Sequence, residues 1–111
     1  MLNIYKETEL GIIDKYVIQY VFDEIGARVD FYSHNWKRSV IIDKLIRTQY
    51  SQDRVEAIIN NHFLNIAEWI DDKFAGKEVV FEDPEYDKLQ AWRKQCKEIA
   101  NEALEKYPEI I

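Results

Sequence analysis

The chain has 111 residues with a formal net charge of −6, and hydrophobic residues make up 47% of it. That length favours a single domain over residues 1–111, and the 15 aromatic residues (3 Trp, 7 Tyr, 5 Phe) argue against disorder. No apolar run reaches the roughly 18 residues of a membrane span, Met1–Glu7 lacks the pattern of a signal peptide, and the single cysteine, Cys96, excludes an intrachain disulfide and a cysteine–zinc cluster. A soluble protein in a reducing, cytoplasmic setting is the expectation.

The acidity is uneven. Residues 1–35 carry 3 basic and 6 acidic side chains, residues 36–74 carry 6 of each, and residues 75–111 carry 6 and 9. The basic island is Lys37–Arg54: Lys37, Arg38, Lys44, Arg47 and Arg54 against Asp43 and Asp53. General nucleic-acid binding is disfavoured for an acidic chain, because phosphate contacts dominate that affinity.

Residues 13–25 have two readings. Ile13, Tyr16, Val17, Tyr20 and Val21 fall on one helical face, yet Tyr16–Phe22 is rich in β-branched and aromatic types. The next segment favours strand: in Ala27–Ser33, Val29 and Phe31 alternate with Arg28, Asp30 and Tyr32. A β-hairpin is expected, with Asp23–Gly26 as its loop and Gly26 at positive φ. Residues 2–5 can add an edge strand.

From Trp36 the period becomes helical. Ile41, Ile42, Leu45 and Ile46 share one side of Trp36–Arg47, with Ser33 or Asn35 as cap. Ser51 caps a second helix over about 52–74, whose stripe is Val55, Ile58, Ile59, His62, Phe63, Ile66, Ile70 and Phe74. Asn60, Asn61 and Asn65 are weak helix formers that can interrupt it, and Gly76 is a natural stop. Val79–Phe81 is extended. Asp83 caps the last helix, with Pro84 in its first position; Leu89, Trp92, Cys96, Ile99 and Ala103 recur at steps of 3 and 4, Tyr107 extends the stripe and Pro108 ends it. The expected fold is α+β, an N-terminal hairpin packed on about three helices. The alternative is an all-α bundle with residues 12–25 as a fourth helix.

No catalytic or metal constellation emerges, and no cofactor is expected. His34 and His62 are 28 residues apart, without ligand spacing. Cys96 lies on an apolar stripe, where cysteine acts as a small hydrophobe. Asp71–Asp72 and Glu82–Glu85 lack the alternating ligands and central glycine of a calcium loop. The Thr48–Ser51 corner has helix-turn-helix spacing, but Asp53 and Glu56 would repel phosphates at the start of the second helix.

Two stretches carry a resemblance: Tyr50–Asn61 (YSQDRVEAIINN) and Glu85–Lys94 (EYDKLQAWRK). Together, over about a third of the chain, they resemble small uncharacterised proteins of prophages and mobile elements in Bacteroides-type bacteria. In that family the two motifs lie closer together than here, where residues 62–84 intervene. The resemblance implies a phage or mobile-element context and transfers no activity or site residue.

The reading is therefore a non-enzymatic interaction, structural or accessory protein that binds a protein partner, foremost a second copy of itself. The residues placed at self-association are Trp69, Phe74 and Tyr107, since the last two helices carry more large apolar groups than a small bundle needs. Trp36, Lys37, Arg38 and Arg47 are candidates for contacting an anion or partner. The alternative function is a small nucleic-acid-binding or regulatory protein using residues 37–54.

Overall fold

Alternation in the first third of the chain makes a three-stranded antiparallel meander, β1 (Leu2–Glu9), β2 (Ile13–Phe22) and β3 (Ile25–Tyr32), with β2 central. The computed structural model describes residues 1–22, 24–32 and 36–111, with the side chains of Glu9 and Phe22 outside that description. Three helices follow: α1 (Arg38–Arg47), α2 (Gln52–Phe74) and α3 (Pro84–Lys106), then a 3-10 turn, Pro108–Ile110. The fold is α+β; most of the segment that could have made a fourth helix is strand β2.

Register places one apolar row across the sheet. Ile4 pairs with Ile18 and Ile18 with Val29, while Tyr16 lies opposite Phe31 and Tyr20 opposite Ala27. These side chains face the helices and join one core with Ile41, Leu45, Leu89, Cys96 and Ile99. On the other face Val17 is also fully buried. The charged residues around it include Lys15, Glu7, Arg28 and Asp30, which are linked by ion pairs at 2.8–3.8 Å. Long side chains of this kind cover apolar surface with their stems.

Two expectations about the strands are corrected. Residues 2–5 belong to a full eight-residue strand rather than a short edge segment. Ile25 already pairs with Phe22 and Gly26 with Val21, so the connection is shorter than Asp23–Gly26, and Asp23 itself lies outside the described residues. Gly26 is strand, without positive φ. The left-handed backbone sits in the other hairpin, at Leu10 (φ 53°) and Gly11 (φ 69°).

The helices follow their apolar periods. Ile41, Ile42, Leu45 and Ile46 are the buried residues of α1. Its N-cap is Lys37, whose side chain makes no capping bond; Ser33 and Asn35, the expected caps, lie outside the described residues, as does His34. The Ser51 side chain accepts from the Arg54 N–H at 3.2 Å and so caps α2. None of the three asparagines breaks that helix. It ends in a Schellman motif, with the Lys77 N–H on the Asp72 carbonyl, the Gly76 N–H on the Lys73 carbonyl and Gly76 at φ 80°. Asp83 caps α3, accepting from the Tyr86 N–H at 3.3 Å, and Pro84 stands in the first turn.

α3 lies in the core: Leu89, Trp92, Cys96, Ile99, Ala100 and Ala103 are buried. α2 does not, since only Val55 and Ile58 are buried among its 23 residues. Its remaining length projects from the body. At 1.5 Å per residue, the run from His62 to Phe74 is an arm of about 20 Å. The molecule accordingly measures 67 × 27 × 22 Å, with a radius of gyration of 18.7 Å; a compact chain of this length would have about 13 Å.

Candidate protein-interaction surface

The arm has two unlike faces. On one, the chain returning from Gly76 lies against α2. The Trp69 indole N–H donates to the Val79 carbonyl at 3.3 Å, and the Phe81 ring meets Trp69 at 5.9 Å and His62 at 5.6 Å, both edge-on. His62 stacks on Tyr86 with ring centroids 3.4 Å apart. His62, Asn65 and Trp69 are three and four residues apart, so they share the face that residues 79–86 cover.

Asp83 closes the base of this layer and is buried. Its Oδ2 is 2.9 Å from His62 Nδ1 and 3.1 Å from Asn65 Nδ2, and its Oδ1 accepts from the Tyr86 N–H. The bond from His62 is the main cause that lowers the Asp83 pKa from its ordinary value; Asn65 and the backbone N–H add to it, and desolvation opposes. A carboxyl with a lowered folded pKa stabilises fully above its unfolded pKa of about 3.9, and that stabilisation is lost as pH falls through the folded value. Carbon-detected titration is expected to give Asp83 a midpoint below the ordinary carboxyl value. A midpoint at or above it would refute this account.

The second face is bare. Phe63, Ala67, Ile70 and Phe74 follow one another at steps of 4, 3 and 4, which places them within an arc of about 60° on the helix. All four are exposed, Phe63 at 64% and Phe74 at 88%, with Leu64 beside them at 63%. Exposed apolar stripes of this kind are the usual form of protein-interaction surfaces.

The residues expected at self-association therefore divide. Phe74 is fully available. Trp69 lies about 140° from it around the helix and is half-buried under residues 79–81. Tyr107 is half-buried at the far end of α3, its ring 5.1 Å from Tyr16, whose hydroxyl donates to Glu109 at 3.1 Å. The apolar excess on α3 is thus spent on the sheet, and only that on α2 is left open. Phe63 and Ala67 are the members that the sequence does not single out for self-association. Phe63 belongs to one broad apolar stripe in the sequence, and nothing local separates its covered from its bare half.

The basic candidates are not brought into one cluster. Trp36 is half-buried, its ring edge-on to Phe31 at 5.4 Å with Lys44 Nζ 4.4 Å above it. Lys37 is exposed. Arg38 donates to Asn101 at 2.8 Å, whereas Arg47 pairs with Asp43 at 2.9 Å and bonds to Gln52. Nine residues apart, Arg38 and Arg47 point to opposite sides of α1. Among the described residues, no group of three or more His, Cys, Asp and Glu is placed to hold a metal ion, and no helix is long and apolar enough to cross a membrane. Comparison of the chain with protein-family models, with curated proteins and with solved structures finds no match.

Proposed function

We propose that this is a non-enzymatic interaction protein whose α2 arm pairs with a second copy of the chain. The observation that carries the reading is that the spacing of the bare face is its own reverse. Aromatic, small aliphatic, large aliphatic, aromatic at steps of 4, 3 and 4 reads with the same spacing in both directions. A two-fold interface needs one patch that is complementary to itself. In an antiparallel pair with its axis midway between Ala67 and Ile70, Phe63 of each copy lies opposite Phe74 of the other. The small Ala67 then faces the larger Ile70 in both central layers, and large against small packs without a void.

Charges at the margins are compatible. Asp71 falls near Leu64 of the other copy and Lys73 near its Ile66, so no acid meets an acid. The antiparallel direction also carries the two bodies to opposite ends. Phe63, Leu64, Ile70 and Phe74 offer about 500 Å² per copy, given that a Phe side chain presents at least ~150 Å². About 1,000 Å² in total lies at the lower edge of specific interfaces, and micromolar affinity is the corresponding expectation. The resemblance of Tyr50–Asn61 and Glu85–Lys94 to prophage and mobile-element proteins supports an accessory or structural role in that setting.

Sedimentation at increasing concentration tests the reading. The mass is expected to rise from 13.3 kDa towards twice that value over roughly 1–100 µM. Phe63→Ser and Phe74→Ser should each weaken pairing at least about tenfold while leaving the melting of the monomer unchanged, because neither side chain is in the core. A monomer throughout that range, or pairing indifferent to both substitutions, would overturn it.

A further inference from the structure

A cleft of about 530 Å³ opens on the body, away from the arm, between the α1–α2 corner, the first turn of α2 and the middle of α3. Tyr50 and Trp92 supply aromatic wall, Arg54 and Lys88 supply charge, and Gln49 and Gln95 supply amides. No Asp or Glu lines it, although the chain carries 21 acidic against 15 basic residues. The Arg54 guanidinium lies over the Tyr50 ring, its Cζ 5.2 Å from the centroid. Among the described residues neither Arg54 nor Lys88 makes an ion pair, in contrast to Arg28 and Arg47.

Trp92 adds an independent observation. Its ring is more than nine-tenths buried, tilted against Tyr20 at a centroid distance of 5.3 Å, and its Nε1 is buried without an acceptor. Buried donors are nearly always paired, so an orphan in a residue that lines a cleft calls for an explanation. A concave site with aromatic walls and a few convergent polar groups is the usual form of a small-ligand site.

We propose that this cleft binds a small organic anion: a flat ring carrying a phosphate or a carboxylate, with the ring against Tyr50 and Trp92 and the anionic group held by Arg54 and Lys88. Each feature has a counterpart in that ligand. The rings take a flat apolar body, and the two cations take a charge that the rest of this acidic surface would repel. The proposal does not depend on how the arm is used.

The test follows the three tryptophan indole N–H signals of the full chain by proton–nitrogen NMR during titration with AMP and, separately, with indole-3-acetate. The expected result is a saturable shift of the Trp92 signal with at least one of the two. AMP alone would identify a phosphate ligand, and indole-3-acetate alone a carboxylate. The double variant Arg54→Gln, Lys88→Gln should weaken binding at least about tenfold with the remaining signals in place, since charge-assisted contacts dominate such sites. Inorganic phosphate, which has no ring, and indole, which has no charge, should each bind at least about tenfold more weakly. The proposal is overturned if neither probe shifts Trp92 saturably, if the double variant binds as the parent does, or if phosphate alone equals AMP.

Discussion

Trp92→Ala is expected to lower the free energy of unfolding by about 3–5 kcal/mol, the range for truncating a buried large aromatic. Trp92 is 8% exposed and central in the apolar row of α3, between Leu89 and Cys96, with its ring on Tyr20 of the central strand. That row is the seam between sheet and helices, so the vacated volume is bordered on one side by β2 and on the other by α3. Neither can move inward without disturbing a strand register or a helix packed along its length. The effect comes from packing alone, because the indole N–H has no acceptor to lose. Urea titration at sub-micromolar protein, where the arm is unpaired, measures it. A loss under about 1 kcal/mol would place Trp92 outside the core.

Labelling of Cys96 by a thiol reagent is expected to be at least about a thousandfold slower in the native protein than in urea at pH 8. The thiol is buried, and burial pushes its pKa up to about 12. An unfolded cysteine ionises near 8.5, so the native thiolate is rarer by more than three powers of ten before access is considered. The same shift fixes a pH dependence. With the folded pKa raised, the folded state holds the proton longer than the unfolded state. Stability from this site is therefore complete below about pH 8.5 and declines as pH rises towards the folded value. Tyr16, pushed up to about 12 by burial and by its bond to Glu109, adds a second decline that begins near pH 10. Urea midpoints should be level from pH 7 to 8 and fall at higher pH. Rapid native labelling would contradict the burial of Cys96, and a midpoint unchanged at pH 11 would contradict both burials.

Local chemistry made most elements legible. Ser51, Asp83, Pro84 and Gly76 are start and stop signals that act through backbone groups within a few residues, and each does so in the structure. The rows Ile41–Ile46 and Leu89–Ala103 have enough apolar members on one side that only burial accounts for them. For residues 13–25, Val29 and Phe31 in the next segment favour strand over helix, and the pairing of Ile18 with Val29 and Tyr16 with Phe31 is why that neighbour is informative.

Along α2, periodicity and burial part company. Val55 and Phe74 sit in one continuous amphipathic pattern, yet Val55 is buried and Phe74 is 88% exposed. Periodicity states which face of a helix is apolar, not how far along its length another element is there to cover it. That depends on where α3 and the sheet end relative to α2, a property of the whole packing. The candidate cleft was hidden for a similar reason. Tyr50 and Arg54 lie about forty residues from Lys88 and Trp92 in the chain, and neither pair by itself reads as a site. The Asp83–His62 contact joins residues 21 apart, so Asp83 read by itself showed only its role as a cap. Sequence alone determined the elements, their ends and their apolar faces, because these follow from propensity, capping and period within one or two turns. Tertiary structure decided which apolar faces are spent on the core and which charged and aromatic side chains meet, because both are set by contacts between segments far apart in the chain.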